Sequence, residues 1–152
     1  ATAPVSALEQ PSAQPGPHGY IPTPSEREAI IEQAKAAYRL TIDAWNSGTE
    51  ADYLAGYEDP LACFYGGGRA RESIRLRDRP RQFGGGIRTT LRIQELTGTL
   101  ISPTQVVLHE IGTHGADAVN RRLEMHKVGR RWRVRQEELF DREGCWRVPV
   151  PE

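Results

Sequence analysis

The spacing of apolar residues changes once along this 152-residue chain, from a helical period to a strand period, and the change falls near Pro60. Pro24 directly after Thr23 and Glu26 three residues after it are typical of a helix start, and Asn46-Ser47-Gly48 is typical of a helix end. Between them, apolar side chains recur at steps of three and four residues, as one face of a long helix requires: Ile31, Ala34, Tyr38, Ile42 and Trp45. The sequence therefore predicts one long amino-terminal helix.

A short second helix, capped by Thr49, is expected before Pro60, and strands are expected after it, where apolar and polar residues alternate. The predicted strands cover 61–65, 87–94, 104–113, 120–128 and 131–140. Between the first two, Arg69 to Arg77 is interpreted as one or two helical turns. Two helices followed by long antiparallel strands predict an α+β fold. The expected architecture is a cone, in which a curved antiparallel sheet wraps around the long helix and encloses an apolar pocket.

The length fits a single domain with extensions at both ends. Residues 1–24 contain six prolines and few large apolar groups, and we interpret them as a flexible arm. The folded domain is predicted to span 25–144, with a carboxy-terminal tail at 145–152. No apolar run approaches the roughly 20 residues that a membrane helix needs, so a spanning protein is not expected.

The charge distribution argues against nucleic-acid binding. The formal net charge is zero, although the segment 69–92 is rich in arginine. Proteins that bind single strands combine basic groups with several stacking aromatic residues. Within this segment only Phe83 is aromatic, so we do not expect a nucleic-acid partner.

Two cysteines, Cys63 and Cys145, bear on the cellular compartment. The first residues, Ala-Thr-Ala-Pro-Val-Ser-Ala, are typical of the start of a mature exported chain, which predicts a secreted or periplasmic protein. In an oxidising compartment a Cys63–Cys145 disulfide is expected, the alternative being two free thiols. The cysteines and histidines lack the spacing of a metal site, and we predict neither a metal nor a cofactor.

Three stretches of the sequence resemble the nuclear transport factor 2-like superfamily, which includes ketosteroid isomerases, polyketide cyclases and non-catalytic members. They are the end of the long helix at 44–48, the end of the short helix at 57–60, and the closing strand at 129–134. The last is similar to the glycine-x-tryptophan-x-valine hairpin frequent in that superfamily. The resemblance covers roughly residues 25–141 and implies the same cone fold.

The resemblance does not carry over the catalytic residues of the ketosteroid isomerases. Thr41 stands where those enzymes have a tyrosine, with Tyr38 one turn earlier on a similar face. Phe64-Tyr65-Gly66 stands in the region of their general-base aspartate. Fold alone does not imply function, so chemistry has to be argued from this chain's own residues.

A candidate acid–base group lies on the predicted strand 120–128. Glu124 and His126 are two residues apart and so share a face of that strand. The preceding strand places either Glu110 or His109 opposite them, depending on the register of the turn. A histidine beside a carboxylate inside a cone is a suitable general base. The catalytic candidates are therefore His126, Glu124 and His109.

The alternative is that these side chains form a charged cluster on the outer face of the sheet, or a dimer contact there. Leu123 and Met125 occupy the opposite face of the same strand, which favours that alternative. The string His109-Glu110-x-x-x-His114 resembles the zinc-protease motif but does not match it, because that motif needs two histidines four residues apart on a helix. On a strand, histidines five apart point to opposite faces, so a zinc protease is not expected.

Candidate ligand-binding residues are Tyr38, Thr41, Trp45 and Tyr65, which would line the cone, although the aromatic ones are equally suited to an ordinary core. We predict a protein that binds an apolar small molecule in the cone and forms a homodimer through its sheet. One alternative is an isomerase or cyclase acting by proton transfer, with His126 or His109 as base and Glu124 or Tyr38 assisting. Another is a protein-interaction or dimerisation module.

Overall fold

The structure is a computed structural model that describes residues 21–59, 61–66, 69–74 and 89–139. Within 61–66, 69–74 and 138–139 it describes the backbone alone. Most of the predicted arm and the whole predicted tail lie outside the described residues. The same holds for Cys145 and for the side chains of Cys63 and Tyr65, so the disulfide and one ligand-binding candidate stay predictions.

Two helices open the described chain, α1 at Pro24–Ser47 and α2 at Glu50–Leu54. Thr23 and Glu26 cap α1 reciprocally: the Glu26 amide donates to Thr23 Oγ1 at 3.1 Å, and the Thr23 amide donates to Glu26 Oε1 at 2.8 Å. This capping box satisfies two amides that have no partner inside the helix. Both helices therefore form where the sequence predicts them.

Within the described residues, six strands form one sheet in the order β2-β1-β6-β5-β4-β3. The pairing of β1 with β6 is parallel, and the other four pairings are antiparallel. The strand bounds are Leu61–Gly66 for β1, Arg69–Ile74 for β2, Leu91–Ser102 for β3, Gln105–His114 for β4, Asp117–Val128 for β5 and Arg131–Leu139 for β6.

The prediction of helical turns from Arg69 onward is wrong, because Arg69–Ile74 is the strand β2. It pairs with β1 from Leu61↔Ile74 to Gly66↔Arg69. The antiparallel ladder gives the backbone groups of this arginine-rich segment hydrogen-bond partners across the hairpin, which a short isolated helix could not match.

The two faces of the sheet have different surroundings. On β4 and β5, the side chains of Val106, Leu108, Leu123 and Met125 pack in the same apolar core as Ala34 of α1. We call this face, which α1 covers, the inner face, and the opposite one the outer face. Because successive side chains of a strand alternate, each strand residue can be assigned to one of the two.

The carboxy-terminal end of α1 is tied to the start of β3. The indole Nε1 of Trp45 donates to the Thr89 carbonyl at 2.8 Å. The Asn46 side chain both donates to the Leu91 carbonyl and accepts from the Leu91 amide, each at 2.8 Å. The side-chain amide of Asn46 thus satisfies both backbone hydrogen-bonding groups of Leu91, as a neighbouring strand would, and holds the end of α1 over the sheet.

Tight turns at glycines with positive φ, Gly115 at +64° and Gly129 at +65°, join β4 to β5 and β5 to β6. Only glycine adopts this region without strain, which explains the turn signals in the sequence. The α+β prediction, a curved antiparallel sheet around a long helix, is confirmed. Among the described residues, none of the helices combines the length and apolar character of a membrane span.

Candidate functional site

The inner face is apolar towards one end of the sheet and polar towards the other. Val106 and Leu108 on β4 are followed, two positions further along the same face, by Glu110, which is fully buried. On β5, Leu123 is followed in the same way by Arg121, which lies opposite Glu110 in the register. A carboxylate and a guanidinium therefore continue the apolar rows of two neighbouring strands.

Glu110 is held on one of its two oxygens. Oε1 accepts from the hydroxyl of Tyr38 on α1 at 2.5 Å and from Nε of Arg121 at 2.8 Å. Oε2 is buried and has no hydrogen-bond partner among the described residues. Leaving a buried acceptor unpaired costs about 1–3 kcal/mol.

Glu137, on β6, extends the cluster across the sheet. Its Oε2 accepts from Nη1 of Arg121 at 3.4 Å, and its Oε1 accepts from the hydroxyl of Tyr57 at 2.9 Å. The Tyr57 hydroxyl lies 3.2 Å from that of Tyr53 on α2. We call this hydrogen-bonded chain the inner network; its members are Tyr38, Glu110, Arg121, Glu137, Tyr57 and Tyr53.

The electrostatics of the inner network keep Tyr38 and Arg121 protonated. Burial raises the pKa of Tyr38 well above its ordinary value; Arg121 opposes this rise, and Glu110 and Glu137 add to it. Burial alone would lower the pKa of Arg121, but Tyr38, Glu137 and Glu110 raise it, in sum, well above its ordinary value. Near neutral pH the network therefore contains a neutral phenol and a charged guanidinium.

His114 lies on the inner face at the end of β4, opposite Leu91 in the register. Its ring meets that of Trp45 edge-on, with 6.3 Å between centroids. Burial lowers the pKa of His114, Arg121 lowers it further, and Asp117 opposes both effects. A histidine with a lowered pKa is neutral near pH 7 and can accept a proton.

Glu124, a predicted catalytic residue, lies on the outer face. It is fully buried there under polar neighbours. Gln105 donates to its Oε2 at 2.5 Å and Gln136 donates to its Oε1 at 2.7 Å. Nη1 of Arg135 lies 3.8 Å from Oε2. Both carboxylate oxygens are thus occupied by amide donors of the sheet itself.

The two predicted histidines also lie on the outer face, each with a partner of its own. Nδ1 of His126 lies 2.7 Å from Oε2 of Glu58, four residues beyond the end of α2. Nε2 of His109 lies 2.6 Å from Oδ1 of Asn120. The structure therefore places the predicted acid–base group on the sheet face opposite to the inner network and gives its members separate partners.

The predicted ligand-binding residues of α1 all point inward and are buried. Tyr38 is part of the inner network, and Trp45 is held by Thr89. Thr41 packs so closely against Gly56 that a Cβ at that glycine would collide with its side chain. Tyr38 is the one of these three whose polar group meets other functional side chains.

Five inner-face residues were missed as site candidates in the sequence. Tyr53 and Tyr57 were expected only as the buried side of the short helix, and His114 only as half of an unlikely metal motif. Arg121 lies two residues before Leu123, on the same face of β5, and this position was the signal that could have identified it. The fifth is Glu137, which a simple alternation does not assign to this face.

A metal centre is not formed by the part of the chain that the structure describes: nowhere in it do three or more His, Cys, Asp and Glu side chains converge as metal ligands would. The inner network instead offers carboxylates already paired with a guanidinium and phenols. Such groups bind and orient organic molecules through hydrogen bonds.

Solved structures share this fold. A protein of unknown function from the DUF3225 family of Pectobacterium atrosepticum superposes with a TM-score of 0.56 at 18% identity, over 76% of this chain and 94% of its own. A protein from Novosphingobium aromaticivorans whose name proposes a scytalone dehydratase superposes with a TM-score of 0.57 at 11% identity, over 84% of this chain and 95% of its own.

A protein of unknown function from Shewanella oneidensis, described as NTF2-like, aligns at a TM-score of 0.47 and 16% identity over 70% of this chain and 94% of its own. No protein-family model and no curated protein matches the sequence. At these identities the likeness to the structures from Pectobacterium atrosepticum and Novosphingobium aromaticivorans concerns the fold alone, the α+β arrangement of a long helix and a curved sheet that the sequence predicts.

Proposed function

We propose that the chain binds a small molecule inside the cone, between the inner network and the apolar end of the inner face. The proposal keeps the ligand class expected from the sequence, an apolar compound, and adds a polar end to it. The apolar body would lie towards the apolar end of the inner face, and the polar end would meet Arg121, whose side chain is 14% exposed. Small-molecule sites commonly combine an apolar lining with a few placed polar groups.

The observation that carries this proposal is the unpaired buried oxygen of the inner network. Burying two carboxylates and a guanidinium in a core is rarely more favourable than packing apolar side chains of the same volume. Here Glu110 also leaves Oε2 without a partner among the described residues. Groups buried at such a cost are concentrated at functional sites.

A second candidate function, proton transfer of the isomerase or cyclase type, is favoured by His114. Its pKa is lowered, chiefly by burial, and it shares the inner face with Arg121. A neutral imidazole can remove a proton from a bound substrate, and a guanidinium can stabilise the negative charge that results. In this version of the hypothesis His114 takes the role that the sequence suggested for His126.

Dimer formation through the sheet, export and the Cys63–Cys145 disulfide are kept as proposals beside this one. The outer face carries the polar pairs of Glu124, His126 and His109. Such polar pairs are compatible both with a surface exposed to water and with a protein–protein interface. The protein-interaction hypothesis would rest on that face and does not require a ligand in the cone.

A native mass spectrum of the protein purified from its own host tests the proposal directly. We expect a population heavier than the chain by the mass of one organic molecule, which is released on denaturation and identified by its fragments. A chain that carries no added mass, and that takes up no compound from a host metabolite extract, would contradict the proposed function.

A further inference from the structure

A groove of about 450 Å³ lies between α1, α2 and the hairpin turn that leads into β6. Its lining comes from α1, from α2 with the two residues that follow it, and from Arg130, Arg131 and Trp132. The six members of the inner network all belong to the described residues, and none of them lines this groove. Its volume is in the range of small-molecule sites, and it is therefore a candidate site separate from the one proposed in the cone.

Much of the groove is lined by small or apolar side chains. Ala36, Ala37 and Leu40 belong to α1, Ala55 directly follows α2, and Trp132 is the second residue of β6. Leu40 is 68% exposed. A single exposed leucine is ordinary on a helix surface, but this one borders a concave and largely apolar lining. An apolar chain bound in the groove would remove this surface from water.

Three charged residues also line the groove, Arg130, Arg131 and Asp52, and all three are exposed. In the part of the chain that the structure describes, ion pairs are formed by other residues. The two guanidinium groups therefore share one groove with a carboxylate without being neutralised by it. Their N–H donors remain available to a ligand.

The charges of the lining decide which head group fits. A carboxylate meets two guanidinium groups, whose planar N–H edges match its two oxygens. A cation meets only the carboxylate of Asp52 and is repelled by both arginines. An uncharged head group gains no charge attraction from any of the three. The groove therefore favours an anion, and Asp52 limits the affinity for it.

We propose that this groove binds an amphiphilic carboxylate, a small molecule with an anionic head and a short aliphatic chain. Arg130 and Arg131 hold the carboxylate, and the chain covers Leu40 and the alanines beside it. The site does not use the inner network, so it goes beyond the proposed function. Either proposal can fail without the other.

Three probes with the same eight-carbon chain test the inference: octanoate, 1-octanol and octylammonium. Each is titrated into the full chain at concentrations below micelle formation, while NMR follows the Leu40 methyl groups and the indole N–H of Trp132. These two signals report the groove and not the cone. An exposed ion pair is worth roughly 1.4- to 5-fold in affinity, and two together roughly 2- to 25-fold. We expect octanoate to bind at least roughly 2-fold more tightly than 1-octanol, and octylammonium to bind most weakly.

Substitutions of exposed residues separate the contribution of the head group from that of the chain. The double variant Arg130→Gln, Arg131→Gln should lose the preference for octanoate over 1-octanol, whereas Asp52→Asn should increase it. Leu40→Ser should weaken the binding of octanoate and 1-octanol by the same factor. The matched control is Arg92→Gln, an exposed arginine on β3 that does not line the groove, which should keep the wild-type affinities.

Several results would overturn the inference and leave the proposed function standing. They include equal affinities for the three probes, tightest binding of octylammonium, and octanoate binding that leaves the Leu40 and Trp132 signals unmoved. Nuclear Overhauser effects from Leu40 to residues 1–20 or to a second copy, in protein without ligand, would mean that the protein itself fills the groove. Signals that broaden with phosphatidylglycerol vesicles and do not shift with octanoate would make this a membrane-docking surface instead.

Discussion

The hydroxyl of Tyr38, on the long helix, lies 2.5 Å from Oε1 of Glu110, on strand β4, and both side chains are fully buried. This bond joins the two layers of the cone at the point where its lining changes from apolar to polar. It also fixes the carboxylate that orients Arg121. The position of the helix over the sheet and the geometry of the candidate site are therefore set by the same contact.

Replacing Tyr38 with phenylalanine removes the hydroxyl and leaves Glu110 with Arg121 as its hydrogen-bond donor among the described residues. Because hydrogen bonds to charged groups are worth about 1.5–3 kcal/mol, we expect the free energy of unfolding to fall by about that amount. Urea denaturation measures it. In a double-mutant cycle with Glu110→Gln the two changes should be non-additive; strictly additive effects would mean that the bond does not contribute.

The stability of the protein should depend on pH through His114. Its pKa in the folded protein lies below the ordinary value of 6.5, first because of burial and then because of Arg121. The unfolded chain therefore binds more protons than the folded one in this range. The contribution of His114 is present above pH 6.5 and is lost as the pH falls through the folded-state pKa.

An NMR titration of the imidazole, assigned by comparison with His114→Gln, checks this direction. We expect its midpoint below 6.5, and we expect His114→Gln to flatten the pH dependence of stability in the same window. A midpoint at or above the ordinary value would show that Asp117 outweighs burial and Arg121, and it would remove the case for a neutral base.

The contact between Gly56 and Thr41 predicts a steric effect. A Cβ on Gly56 would overlap the Thr41 hydroxyl oxygen and lie 2.9 Å from its methyl carbon. Gly56→Ala should therefore destabilise the fold by about 1–3 kcal/mol, as overpacked cores do. The second substitution Thr41→Ala should restore part of the loss. No recovery in thermal unfolding of the double variant would place the strain elsewhere.

Substitution of His126 tests whether the outer face of the sheet contributes to ligand binding. Its contact with Glu58 is partly exposed, with 32% and 23% of the two side chains accessible, so it is worth less than about 1 kcal/mol. We expect His126→Ala to leave both the melting temperature and ligand loading nearly unchanged. If loading or any turnover disappeared while the protein stayed folded, the role first suggested for His126 by the sequence would be restored.

The fold could be predicted from the sequence because its signals are local and repeated. The apolar stripe from Ile31 to Trp45 and the cap at Thr23 define the helix, and Gly115 and Gly129 mark the turns. The arginine-rich strand Arg69–Ile74 was missed because its hydrogen bonds come from a hairpin partner, and propensity along the chain does not reveal pairing.

The site was harder to predict, because alternation groups residues by face without saying which face is inward. Glu124 and His126 lie on the outer face, opposite to Leu123 and Met125. A rule that looks for a charged residue within the apolar row would have selected Glu110 and Arg121, the residues of the site proposed here. It depends on knowing that the apolar row faces the helix.

That rule still fails for Glu137. Between Glu124 and Met125 the register shifts: Glu124 pairs with Gln136, whereas Met125 pairs with Val134. The extra residue, Arg135, is a bulge that inverts the alternation of β6. Because of it, the odd-numbered Glu137 shares the inner face with the even-numbered Trp132 and Val134. Nothing in the sequence of this strand marks the bulge.

The most direct test of the account compares two isosteric substitutions, Glu110→Gln on the inner face and Glu124→Gln on the outer face. Both glutamates are fully buried and each accepts two side-chain hydrogen bonds, so both variants should lose similar stability. The measurement is the fraction of each folded variant that carries a co-purified small molecule in native mass spectra. Our account predicts that Glu110→Gln lowers this fraction and that Glu124→Gln leaves it at the wild-type level. Loss of the ligand in Glu124→Gln with retention in Glu110→Gln would contradict it.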